Sequence, residues 1–188
     1  MDPREVEFLS EKQMVSIVPN FNCTAMHLIS GSVGPFRPGL PVQVPMWIAM
    51  TLKQQQKCRI IGQDWMDVDS LNVAKEEEKL SKVFTKMPSN HYMEEAQMLL
   101  TASDDIPDAD NIRTAIKDIW DLRMSKLRAS IDNFLKSEGW HARLDHLTTM
   151  EINSVRPLLP HALDQMHRMK MNADQPGSSQ NNTTTDSQ

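Results

Sequence analysis

Gly34-Pro35-Phe36-Arg37-Pro38-Gly39-Leu40-Pro41-Val42-Gln43-Val44-Pro45-Met46-Trp47 places four prolines three or four residues apart. Each proline fixes φ, removes an amide donor and disfavours helix in the residue before it, so no regular helix can run through this stretch. The next residues are different in kind. Met46-Trp47-Ile48-Ala49-Met50-Thr51-Leu52 is apolar on nearly every side, and Lys53-Gln54-Gln55-Gln56-Lys57 then turns polar, the pattern of a buried helix emerging into solvent. Pro45 suits the first helical position.

Working outward, the residues before the proline block read as short mixed elements. Asp2 is placed to cap a brief helix that has Pro3 at its first position and an apolar face of Val6, Leu9 and Phe8. Met14-Val15-Ser16-Ile17-Val18 and Ala25-Met26-His27-Leu28-Ile29 have the apolar, β-branched character of strands, separated by the turn-forming Pro19-Asn20-Phe21-Asn22. Gly31-Ser32 breaks the second of them. Cys58-Arg59-Ile60-Ile61 is a last strand, ended by Gly62.

Beyond Asp64 the periodicity becomes helical. Asp67 caps a helix whose body, Leu71 to Leu80 with Lys75-Glu76-Glu77-Glu78-Lys79, reads as mostly solvated, an arm or linker as much as a core element. Ser89 caps the next, with Met93, Ala96, Leu99 and Leu100 at helical spacing. A helix from near Asp108 to about Ser137 is the longest element. Ile112, Ile116, Ile119, Trp120, Leu127, Ile131, Phe134 and Leu135 recur along it every three or four residues, and Gly139 ends it. Arg123 interrupts that stripe and admits two readings. It is an ion pair buried between subunits, or, the reading favoured here, an arginine whose stem packs while its head reaches water.

The 188 residues fit one sizeable domain or two small ones, and 39% apolar content suffices for a core. With 25 acidic against 20 basic residues the chain lacks the strongly basic balance of a general nucleic-acid binder. Fourteen methionines suit adaptable cores and partner surfaces alike. Cys23 and Cys58 form no metal or disulfide pattern and read as reduced thiols. No signal peptide and no run of apolar residues long enough to span a membrane is present, which reads as an intracellular soluble chain.

Enzyme signatures are absent: no phosphate-binding Gly-x-x-x-x-Gly-Lys loop, no nucleophile elbow, and no two of the six histidines at i, i+4 spacing. Asp104, Asp105, Asp108 and Asp110 gather where a helix begins, where carboxylates favour the positive end of the dipole. Capping is their expected role, with an acidic catalytic or Mg²⁺ site as the rival. A second rival is nucleic-acid binding through Lys53, Lys57 and Arg59. The candidate partner interface comprises Trp47, Lys57, Arg59, Arg113, Lys117, Arg123 and Lys126, an apolar-stripe tryptophan with cations of the first part and of the long helix.

The proline block, with Leu52-Lys53-Gln54-x-Gln56-Lys57-Cys58-Arg59 after it, resembles the second Psf subunit of the eukaryotic GINS complex, the Psf-two family. So do Val6-Glu7-Phe8-Leu9, Val18-Pro19-Asn20-Phe21, Trp65-Met66-Asp67-Val68, Met87-Pro88-Ser89-x-x-Tyr92-Met93-Glu94, Ala102-Ser103-Asp104-x-Ile106-Pro107, Lys117-Asp118-x-Trp120-Asp121-x-Arg123 and Met150-Glu151-Ile152-Asn153. The resemblance runs in linear order from Val6 to Asn153. It implies an α+β, mainly α chain: a small β-rich domain at 1–62, a helical domain at 63–171, and, by composition, a disordered polar tail at 172–188. It further implies a nuclear, non-catalytic scaffold without cofactor. That scaffold assembles with three other GINS subunits, joins the MCM ring and the Cdc-forty-five protein as the replicative helicase, and meets DNA only indirectly.

Overall fold

The computed structural model describes residues 2–29, 31–136 and 145–157, with isolated positions from 160 to 171. The fold is α+β and mainly helical: a small antiparallel sheet region comes first and a helical bundle comes after it. By contacts the chain divides into two compact units, Met1–Ser154 and Val155–Gln188, and the sheet region and the helices up to Ser154 make up the first. The tail expected to be disordered and the stop at Gly139 lie outside the described residues.

Helix α1, Pro3–Ser10, opens on a capping box: Arg4 N–H donates to the Asp2 carboxylate and Glu5 accepts from Asp2 N–H at 3.0 Å. Val6 is its buried apolar anchor, whereas Phe8 is 61% exposed. Strand β1, Met14–Pro19, alternates, with Val15 and Ile17 facing inward. It is the centre of a three-stranded sheet. β4, Val42–Pro45, and β5, Cys58–Ile60, flank it antiparallel, with Val15 opposite Val44 and Ile17 opposite Ile60. β4 lies within the proline block. Its position at the sheet edge is what makes this possible, because Pro41 and Pro45 bound the strand and only one side of it must donate to a neighbour.

Two expectations need correction here. Pro45 ends β4 in an extended conformation and is the N-cap of α2, Met46–Gln54, not its first residue. Gly31-Ser32 does end β2, Met26–Leu28, yet the chain turns and pairs back as β3, Gly31–Val33. Within the block, Phe36 is fully buried, stacks on Phe21 at 5.3 Å between ring centres and bridges to Cys23. Gly34 has φ +104°, a conformation L side chains rarely adopt, and a Cβ there would press on the Phe36 ring at 3.1 Å, so a side chain before the cis Pro35 would be strained.

The bundle consists of α3, Val68–Leu80; α4, Tyr92–Ala102; α5, Ala109–Lys136; and α6, Thr149–Val155. The apolar core is continuous across residue 62. Val15, Ile17, Phe36, Met46 and Ile60 from the sheet region belong to one cluster with Leu71, Tyr92, Leu99, Ile116 and Ile119 from the helices. Lys53 of α2 also reaches Asp105, between α4 and α5, at 2.5 Å, and the same carboxylate oxygen accepts from Ile60 N–H at 3.4 Å. Asp105 thus pins the bundle to the sheet rather than capping a helix.

Three more readings change. α3 is mostly solvated as expected, with Asn72, Val73, Glu76, Glu77, Lys79 and Leu80 exposed, but it packs on α5 with Leu71 and Glu78 buried and so is a core element rather than an arm. The N-cap of α4 is His91, not Ser89. Ser89 Oγ instead accepts from His91 N–H at 3.1 Å and donates to Glu95 Oε1 at 2.5 Å. On α5 the inward face is Ile112, Ala115, Ile116, Ile119, Arg123 and Leu127, while Trp120 is half-buried against the core. Trp120→Ala is accordingly expected to cost about 2 kcal/mol, below the roughly 3–5 of a fully buried aromatic. Denaturant unfolding of the variant measures it.

Candidate functional site

The chemistry densest in ionisable groups is buried where α3, α5 and α6 meet. Arg123 has no exposed surface, and each of its five N–H groups has an acceptor. Nε and Nη2 grip the Glu151 carboxylate as a fork at 2.6 and 3.0 Å. Nη1 donates to Glu78 Oε2 and the Thr85 carbonyl, both at 2.9 Å, and Nη2 to the His146 carbonyl at 2.8 Å. The Phe84 ring lies 5.3 Å from the guanidinium carbon.

The counter-ions are equally engaged. Glu78 Oε1 accepts from Lys126 Nζ at 2.6 Å, while Oε2 accepts from Thr85 N–H at 3.0 Å and from the Thr85 hydroxyl. Lys126 also donates to the Glu78 carbonyl. Glu151 Oε2 accepts from Thr148 N–H at 2.8 Å, half of a Thr-x-x-Glu capping box at the start of α6. Two cations and two carboxylates make the cluster neutral. Burial alone would push the Glu78 carboxyl up, but hydrogen bonds from Lys126 and Thr85 and the charge of Arg123 hold it below the ordinary carboxylate range. Burial likewise disfavours the Arg123 charge, and Glu151 and Glu78 more than restore it. With its donors and acceptors consumed internally, the cluster fixes geometry: it ties three helices and the segment 81–88 into one arrangement.

Both sequence readings of Arg123 are therefore corrected. Its head reaches no water, and the carboxylates it pairs with, 45 and 28 residues away, are on its own chain. Lys126, one-fifth exposed, belongs to the same cluster. The other candidates are not brought together with them. Arg113 is spent on Asp110 and the Leu100 carbonyl, at 2.8 and 2.7 Å, and Lys117 is exposed on α5. Lys57 and Arg59 are exposed around β5, while Lys53 of the nucleic-acid rival is paired with Asp105. Trp47, 41% exposed, borders a shallow cavity of about 400 Å³ whose other walls include Met14, Val33 and Pro45.

Glu78 and Glu151 were not among the candidates, though signals for both exist. Glu78 is seven residues past Leu71 and four past Ala74, on their stripe, and Thr148-x-x-Glu151 is a capping-box pattern.

A second buried carboxylate behaves oppositely. Among the described residues neither oxygen of Glu94 in α4 has a hydrogen-bond partner on another residue, and burial, then neighbouring Glu95, Glu151 and Glu7, push its carboxyl up. A raised folded-state value gives stability below the unfolded value of about 4.3 that is lost as pH rises through the folded one. Glu94→Gln is thus expected to raise the melting temperature at pH 7, with the gain vanishing at pH 4. Thermal melts at the two pH values measure it.

Among known protein families, residues 2–61 match the model described as PSF2 N-terminal domain, and residues 65–170 match that described as GINS complex protein helical bundle domain. The chain is 57% identical over 174 residues to the probable DNA replication complex GINS protein PSF2 of Drosophila melanogaster, covering 92% of this chain and 86% of the relative. It is 51% identical over 173 residues to DNA replication complex GINS protein PSF2 of Homo sapiens, covering 92% and 94%. Against the PSF2 protein of Schizosaccharomyces pombe identity is 32% over 168 residues, covering 89% and 90%.

Proposed function

Because this chain belongs to the PSF2 family of GINS complex subunits in DNA replication, we propose that it is a non-catalytic scaffold subunit of a four-subunit GINS assembly. The assembly joins the MCM ring and the Cdc-forty-five protein as the replicative helicase in the nucleus. In this reading the MCM ring hydrolyses ATP, and this chain meets DNA only through the assembly. A scaffold that binds one arrangement of a motor ring better than others shifts the ring's population by the difference in affinity. In this reading the sheet region, 1–62, and the helical region, 63–171, each offer surfaces to partners, although the core is continuous across residue 62.

The observation that carries the reading is the pairing of a buried, internally cross-linked ion cluster with uncovered apolar side chains on several elements. Phe8, Leu40, Trp47, Val73 and Leu80 are all more than two-fifths exposed, on α1, the proline block, α2 and α3. Contiguous uncovered apolar patches mark partner surfaces, and in this reading these side chains belong to patches that the other subunits cover. Expressed alone, the chain is expected to be poorly soluble, and co-expression with the three other GINS subunits to recover it in the soluble fraction. Light scattering checks this, and a monodisperse monomer at micromolar concentration contradicts the scaffold reading.

A further inference from the structure

The buried ion cluster has a surface consequence. Segment 81–88 contains no regular element, yet its backbone is held at several points: Arg123 takes the Thr85 carbonyl, Glu78 takes Thr85 N–H, and Lys126 reaches the Val83 carbonyl at 3.4 Å. Ser81 Oγ closes a tight turn, accepting from Val83 N–H at 3.2 Å and donating to the Val83 carbonyl at 2.7 Å. Phe84 and Met87 are buried beneath it. The exposed groups of the segment are Lys82, Val83, Lys86 and Pro88, next in sequence to Leu80 at the end of α3, and Leu80 and Val83 are 83% and 52% exposed.

Neither Lys82 nor Lys86 makes an ion pair among the described residues, on a chain whose net charge is −5. Both keep their charge available for another molecule, next to apolar side chains that water solvates poorly. A loop fixed in advance loses little conformational entropy on binding, which is how a rigid support raises affinity.

We propose that segment 81–88 and the end of α3 form a preformed docking surface for a segment of another protein. That segment carries carboxylates beside an apolar side chain: the carboxylates meet Lys82 and Lys86, and the apolar group covers Leu80 and Val83. Nucleic acid fits less well. Phosphates require a single-sign surface, whereas exposed Glu76 and Glu77 stand one turn back on α3, and the exposed Leu80 and Val83, close in sequence to the lysines, are apolar. The docking chemistry is the same whichever assembly the chain joins.

The test is a photo-crosslinking amino acid in place of Val83 in the full chain in cells, with sequencing of the captured peptide. A discrete crosslink is expected to a protein segment with Asp or Glu flanking an apolar residue. Its yield should fall at least five-fold (about 1 kcal/mol) in Lys82→Glu/Lys86→Glu and stay unchanged in Lys82→Arg/Lys86→Arg. All four substitutions are at exposed positions, and an unchanged melting curve verifies the fold. No crosslink above that from an exposed control position, capture of nucleic acid or of a segment without carboxylates, or a yield indifferent to charge reversal would each overturn the proposal.

Discussion

Arg123→Met is expected to destabilise the chain by about 3–5 kcal/mol, because the two carboxylates that the guanidinium neutralises stay behind in a fully buried site. Glu78 keeps Lys126, but Glu151 loses both N–H donors of its fork and, among the described residues, keeps the Thr148 N–H. Adding Glu151→Gln to Arg123→Met should therefore recover part of the loss, a non-additivity expected of groups in direct contact. Arg123→Lys is also expected to fail, since an ammonium offers three donors where five acceptor contacts are made. Hydrogen exchange on the amides of α5 and of segment 81–88, in the purified assembly, gives the free energies. The cluster adds an acid limit. Because the Glu78 carboxyl is held low, its contribution is present above the unfolded value of about 4.3 and lost as pH falls through the lower folded one.

Phe36→Ala is expected to cost a similar amount, about 3–5 kcal/mol, by a different mechanism. The ring is fully buried, stacked on Phe21, and seated against the backbone of Gly34. Prolines on both sides fix the chain that carries it, so the surroundings cannot collapse into the space left behind. The damage should concentrate in the sheet region. Exchange protection is expected to fall most in β1 and β4 and least in the middle of α5, a pattern that separates this variant from Arg123→Met.

The two variants also mark what the sequence could and could not disclose. The proline block announced its own role: four prolines exclude a helix, and the apolar run after it is α2. β4 stayed hidden inside it, because an edge strand of four residues bounded by prolines has too few positions to show alternation. The long helix was legible from its apolar spacing, and so was Arg123 as an anomaly within it. Its partner Glu78 was harder to see, since charge within a Lys-Glu-Glu-Glu-Lys run reads as solvated unless the residue's place on the helical stripe is traced, and a capping-box pattern at Glu151 names no long-range partner. Asp105 failed for the same reason. A carboxylate near a helix start has a local explanation, and its true partner, Lys53, is 52 residues away.

At the centre stands the proposal that the chain works as one fixed member of a four-subunit assembly. Native mass spectrometry of material purified from cells through a tag on this chain tests it most directly. The expected result is a single dominant species with one copy each of this chain and three GINS subunits, stable at physiological salt. A free monomer, or a species lacking any of the three, would contradict it.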